Sequence, residues 1–220
     1  MLSVENITVK IKAYTILRGL TLNVPTDSII ALVGRNGAGK TTTMRSIMGL
    51  APVSEGMISL DDHNLRPLPP HQRAKLGIGY LPEDRKLING LTVEQNLMMP
   101  AQAVGLPAAE PRLKTIYSLL PEIMVLAARK AMQLSGGQQK LVALGRSFMN
   151  AKKLLLLDEP FEGISVALCR KLAQAIREFQ KAEEGLSVLV AESDLKRAAM
   201  LTDRAYVIER GEVVEENSTM

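Results

Sequence analysis

The 220-residue chain has no tryptophan, a single cysteine and only 3% aromatic residues. With so few rings, its core volume must come from Leu, Ile, Val and Met, and the stacking platforms of a single-stranded nucleic-acid surface are missing. The lone thiol, Cys169, excludes an intrachain disulfide and suits a reducing compartment. No apolar run approaches the roughly 18 residues that would span a bilayer. Met1 to Lys12 alternates apolar and polar residues, unlike a signal peptide's basic start and apolar stretch. The net charge of +4 is mild and forms no concentrated basic face, so nucleic acid is not an expected partner. These absences predict a soluble, cytoplasmic protein that could serve a membrane only by docking. What is present is ordinary for a globular chain: 46% hydrophobic and 23% charged residues, enough for one domain with a proper core.

Local pattern predicts strands at Leu2 to Val9 (alternating, with a slip), Leu20 to Val24, Met57 to Leu60 and Ile78 to Leu81. Ser28 to Val33 and Lys153 to Leu157 are near-continuous apolar runs, as expected of strands buried on both faces, and Leu186 to Ala191 reads as a further strand. Thr41 to Leu50, Gly137 to Met149, Ser165 to Glu183 and Asp194 to Leu201 read as helices, and Ala205 to Val214 as a hairpin around Arg210-Gly211. The proline-rich stretch Pro67 to Gln72 should break any regular element. From Thr92 to Leu134, helical stretches at Val93 to Met99 and Arg112 to Leu120 are set apart by Pro100, Pro107, Pro111 and Pro121. The expectation is an α/β fold with a mixed sheet and an N-terminal antiparallel β portion. The core covers approximately 1–82 and 135–220, and an α-helical lobe is inserted at approximately 83–134.

Three segments carry chemistry. Gly34-Arg35-Asn36-Gly37-Ala38-Gly39-Lys40-Thr41, followed by Thr42, lies between a buried strand and a helix. Its backbone N–H groups can converge on phosphate, Lys40 can reach the β- and γ-phosphates, and Thr41 can ligate Mg²⁺. Such a pattern arises by accident in roughly one chain in a hundred of this length. Asp158 and Glu159 follow four leucines, where a parallel strand delivers its C-terminal end to a ligand crevice. There Asp158 could hold a water of the Mg²⁺ shell and Glu159 could act as general base on the attacking water. Leu134-Ser135-Gly136-Gly137-Gln138 opens another helix whose free N–H groups can hold phosphate. One nucleotide needs only one such cradle, so the second is best explained as serving ATP bound to another subunit.

With these motifs in this order, the chain resembles the ATP-binding subunit of ABC transporters over essentially its whole length. The resemblance implies a P-loop NTPase core and a head-to-tail dimer that sandwiches two ATP molecules, each between one glycine loop and the partner's Ser135–Gln138 segment. It also implies transmembrane permease partners, attachment to the inner face of the membrane through them, and an external solute-binding protein in the full system. Tyr14 stands where the family stacks a ring on adenine. Glu83 stands where the family usually has a glutamine that senses Mg²⁺ and the attacking water, and a carboxylate there could still ligate magnesium. Ser193 replaces the usual histidine at the γ-phosphate, bringing a hydroxyl but no positive charge. Ser165 stands where aspartate is common.

The Pro82-Glu83-Asp84-Arg85 loop together with Ser193 resembles an ATPase subunit of branched-chain amino acid importers. Sugar importers can also carry Pro-Glu-Asp-Arg, and a non-transport relative acting on nucleic acid or the ribosome is the alternative of another class. Such relatives usually carry two cassettes or long coiled-coil insertions, and this chain has neither. The remaining features read as structural: His63 and His71 as surface residues, the methionines as flexible packing and Lys152-Lys153 as a solvated turn.

Overall fold

The computed structural model describes residues 1–107 and 109–217. Strand β1 (Leu2–Ile11) pairs antiparallel with β2 (Tyr14–Val24), and β3 (Ile29–Val33) leads through the glycine loop into helix α1 (Lys40–Met48). Then follow β4 (Val53–Leu60), β5 (His63–Asn64), α2 (Pro70–Lys75) and β6 (Ile78–Leu81). Three helices come next: α3 (Val93–Val104), α4 (Ala109–Leu119) and α5 (Pro121–Val125). A 3₁₀ turn at Ala131–Gln133 leads to α6 (Gly136–Asn150) and β7 (Leu154–Asp158), then α7 (Val166–Ala182), β8 (Ser187–Glu192), α8 (Leu195–Ala198), β9 (Ala205–Glu209) and β10 (Glu212–Asn217).

Two sheets result. An antiparallel one runs β2-β1-β4-β5, and a six-stranded one runs β10-β9-β3-β8-β7-β6. In the second, β9, β3, β8, β7 and β6 are mutually parallel and only β10 is reversed. The four leucines of β7 show how sequence builds both layers. Alternation sends Leu154 and Leu156 to the face covered by the antiparallel sheet and α1, and Leu155 and Leu157 to the face covered by α6, α7 and the three helices after β6. All four are fully buried, each worth roughly 2 kcal/mol of apolar transfer. On the second face Phe148 and Phe179 stack with centroids 4.1 Å apart, and the Arg112 guanidinium lies 5.3 Å from the Phe179 ring.

Three local expectations are corrected. The proline-rich stretch does not break structure: Pro70 opens α2, in the first helical position, where a missing N–H costs nothing. Pro100 sits inside α3, whose buried Val93, Leu97 and Ala101 hold the helix against the core until Gly105 ends it. Strand β2 begins at Tyr14 and not at Leu20, because a positive φ at Gly19 interrupts the alternation that would have revealed its first half. The slip expected in β1 is present as register shifts around Asn6, whose φ is 50°.

Candidate nucleotide and magnesium site

Because β3, β8, β7 and β6 are parallel, their C-terminal ends lie along one edge, and the expected phosphate, magnesium and catalytic residues of the chain's own site come from that edge. The glycine loop follows Val33, Asp158 and Glu159 end β7, Glu83 follows β6 by two residues, and Ser193 follows β8. Glycine is required at Gly39, where φ is 116° and a Cβ would lie 2.8 Å from Leu17 Cδ2. At Gly34 a Cβ would run into Ile208. The loop is therefore bare backbone held close over the strand ends, the geometry that lets N–H groups approach an anion.

A cavity of about 400 Å³ opens at this loop, lined by Ile16, Asn36, Gly37, Gly39, Lys40, Thr41, Thr42, Glu83, Glu159 and Glu162. A second cavity, of about 530 Å³, lies across the loop and is lined in part by Gly34, Arg35, Asn36, Ala38 and Ser193. Lys40 is buried and donates to the carbonyl oxygens of Gly34 (2.7 Å) and Arg35 (3.3 Å). Its Nζ is also 3.0 Å from Glu159 Oε1. That contact is an ion pair without the alignment of a hydrogen bond, since no donor is aimed at the buried Oε1. The other carboxylate oxygen of Glu159 accepts from the backbone N–H and the hydroxyl of Ser193, both at 3.2 Å. Ser193 thus addresses Glu159 directly, as a neutral donor.

Thr41 donates to Asp158 Oδ1 at 3.1 Å, while Asp158 Oδ2 is buried with no donor. Burial pushes the Asp158 carboxyl up to about 6, and the negative charges of Glu83 and Glu159 push the same way against the Thr41 hydrogen bond and Lys40. Among the described residues no three His, Cys, Asp or Glu side chains form a closed metal cage. Magnesium does not need one, because it takes one or two carboxylates and completes its shell with water and substrate phosphates. An orphaned carboxylate oxygen beside a threonine hydroxyl, under a glycine loop, fits that ion.

Tyr14, 74% exposed at the start of β2, lies outside the cavity, whose aliphatic wall comes from Ile16 on the same strand. Ser135 to Gln138 do not line it either. They form the N-terminus of α6, where the Ser135 hydroxyl accepts from Gln138 N (3.3 Å) and the Gln138 side chain accepts from Ser135 N (2.9 Å), a reciprocal cap. Ser165 caps α7 with a single bond, its hydroxyl accepting from Leu168 N. Sequence reasoning missed Ile16, Glu162, Lys140 and Glu192. The last two are buried: Lys140 donates to the Glu159 carbonyl at 2.6 Å, and Glu192 accepts from Phe161 N at 3.0 Å. A lysine on a helix and a glutamate ending a strand ordinarily face water, so no pattern flagged them. The loop carrying Glu83 is tied to α6 as well: Arg85 donates to the Gly136 carbonyl at 3.0 Å, and Arg146 donates to the carbonyls of Arg85 and Lys86.

This arrangement has known counterparts. The family model described as ABC transporter matches residues 17–162. The chain is 34% identical over 202 residues to a probable branched-chain amino acid transport ATP-binding protein, LivF, of Archaeoglobus fulgidus, covering 92% of this chain and 85% of that one. It is 33% identical over 218 residues to the lipopolysaccharide export system ATP-binding protein LptB of Escherichia coli, covering 97% and 88%. Its fold is similar to the dimeric structure of MJ0796, a bacterial ABC transporter cassette, with a TM-score of 0.87 and 26% identity over 99% of this chain and 98% of that one. The glycine loop, the Asp158-Glu159 pair at the same strand edge and a match over most of the chain together place this protein in the ABC transporter family, as an ATP-binding ATPase domain.

Proposed function

We propose that the chain powers solute import through an ABC transporter, for branched-chain amino acids or similar small polar solutes. The observation that carries the ATPase site is the buried cluster in which Lys40 contacts Glu159 and Thr41 contacts Asp158 beneath the glycine loop. In this reading the loop residues Gly34 to Thr42 cradle the phosphates, Tyr14 stacks on adenine, and Thr41, Asp158 and Glu83 hold Mg²⁺. Glu159 takes the proton of the attacking water while Ser193 fixes its carboxylate. Most of the acceleration is positioning and charge stabilisation, since phosphoryl transfer asks for little covalent help.

Ser135 to Gln138 complete the ATP site of a second ATPase subunit packed head to tail, as the dimeric architecture of the similar cassette supports. Residues 83–134 act as a lobe on the core formed by 1–82 and 135–220. Between lobe and core, a groove of about 440 Å³ lined by Leu50, Pro82, Asp84, Lys86, Met99 and Arg146 among others suits a permease's cytoplasmic helix. That places the chain on the inner face of the membrane, held there by permeases. Among the described residues no helix is long and apolar enough to cross a bilayer itself. An external solute-binding protein completes an importer.

Likeness to LivF supports branched-chain amino acid transport, and the Glu83 and Ser193 departures, which resemble importer ATPases, support import, while the likeness to LptB, an export-system protein, supports the opposite direction. Glu159→Gln keeps the shape of the side chain and removes its basicity. It should retain ATP binding and lose at least ~100-fold in turnover; undiminished turnover would exclude Glu159 as the base. Co-purified permeases, and ATPase stimulation by a solute-loaded receptor, decide direction and substrate. A transporter stimulated only from the cytoplasmic side would remove the import reading.

A further inference from the structure

We infer that Lys140 is a positioning residue that holds Glu159 in its working orientation and so couples the helix bearing Ser135–Gln138 to the chain's own hydrolytic site. This rests on the reading of Glu159 as general base. Glu159 takes a positive φ of 49°, a conformation unfavourable for a residue with a Cβ, so something must hold it. Its N–H donates to the Ala191 carbonyl at 3.0 Å, as the last rung beside β8. Its carbonyl accepts from Lys140 Nζ at 2.6 Å. Two residues on, the Phe161 N–H donates to Glu192 Oε1 at 3.0 Å.

Lys140 is only 1% exposed. Burial and the nearby Arg85 charge press its ammonium toward neutrality, against the pull of Glu192, Glu162 and Glu159. A lysine kept in such a place, where an apolar side chain would pack at lower cost, points to a specific bond. That bond is made to the backbone of the proposed base, from the second turn of the helix that Ser135 and Gln138 cap. Any tilt of α6 when its N-terminus engages a partner's nucleotide therefore pulls on the peptide that aims Glu159. Without the Lys140 bond the carbonyl keeps only the longer bond from the Glu162 N–H, at 3.2 Å within the same turn, and the turn is no longer tied to α6. Displacements of about an ångström at a reacting group cost up to ~100-fold in rate.

The test compares wild type with Lys140→Met, which keeps the apolar stem and removes the donor, and with Lys140→Arg, which restores one. Each is measured as the full chain with its natural partners, for ATP turnover, for affinity toward a fluorescent ATP analogue and for melting temperature. Expected is a ~10- to 100-fold fall in kcat for Lys140→Met with nucleotide affinity held within about twofold, and partial recovery in Lys140→Arg. If the methionine variant does not fold, Lys140→Gln, too short to reach the carbonyl, is judged by the same split. A variant that folds and turns over at the wild-type rate overturns the inference. So does one whose nucleotide affinity and turnover fall together, which marks a merely structural lysine. Glu159→Gln run alongside separates the two readings. If it alone retains full turnover, the general-base assignment fails; if it is inactive while Lys140→Met is not, only the coupling fails.

Discussion

At the scale of single residues, burial raises the pKa of two carboxyls at the strand ends, Asp158 and Glu192. Glu192 is the sharpest case. It is fully buried at the end of β8, and one oxygen has no donor. Burial, with the Glu159 carboxylate beside it, pushes its carboxyl from the usual 4.5 up to about 8, against the Phe161 hydrogen bond. The folded state therefore holds a proton that the unfolded chain releases. The resulting stabilisation is present below the ordinary carboxylate range and is lost as pH rises through about 8. Glu192→Gln imitates the protonated form and can still accept from Phe161. Its melting temperature should match the wild type near pH 4, where the carboxyl is protonated in both states, and exceed it increasingly as pH rises to about 9. Wild type and variant declining in parallel over that range would show that Glu192 is ionised throughout.

At the scale of elements, the N-terminus of α6 has one observed task, its cap, and one proposed task, and the two are separable. As a helix cap, Ser135 contributes about 1 kcal/mol through its bond to Gln138 N. As half of a partner's ATP site, it would contribute to turnover through a small hydroxyl facing outward. Ser135→Asn keeps a strong capping side chain but changes the surface offered to phosphate. It should melt within a few degrees of the wild type yet lose ~10-fold or more in turnover at saturating ATP. Wild-type turnover in that variant would reduce the motif to a cap. Elements also mark what could be read in the sequence. The strand–loop–helix around Lys40, the four leucines ending at Asp158 and the hairpin turning at Arg210-Gly211 carry their own local signals, and the structure has each in place. Helix α3 running through Pro100 carried the opposite signal, because its cost is offset by core packing supplied from distant segments. Arg73 was equally illegible. It is buried and donates to Leu68, Ser46 and Ile47 carbonyls, closing the end of α1 from a helix expected not to exist. Lys140 and Glu192 belong with it: their roles are defined by partners far away in sequence, and a lone charged residue in a helix or at a strand end announces nothing.

At the scale of the whole molecule, the glycine loop and the Ser135–Gln138 helix end are proposed to serve different nucleotides. The cavity under the glycine loop draws its walls from β2, the loop itself, α1 and the segments after β6 and β7, and the Ser135 helix end contributes nothing to it. In the proposed reading, one chain carries a glycine-loop half-site with Glu159 as its base, and a separate capped helix end that closes another such half-site. Turnover per chain should then depend on association. It should be near background at nanomolar chain concentration and rise with concentration as dimers form, on the order of tenfold for each tenfold increase until dimers dominate. Should the natural partner be a second, different ATPase, concentrating this chain alone would leave the rate low, and adding the partner would raise it to saturation at a fixed stoichiometry. Turnover per chain that stays high and constant down to the lowest concentration, with no partner present, would mean that a monomer is sufficient. In that event Ser135 to Gln138 would have no trans role, and the coupling through Lys140 would lose its upstream signal while keeping its hold on Glu159.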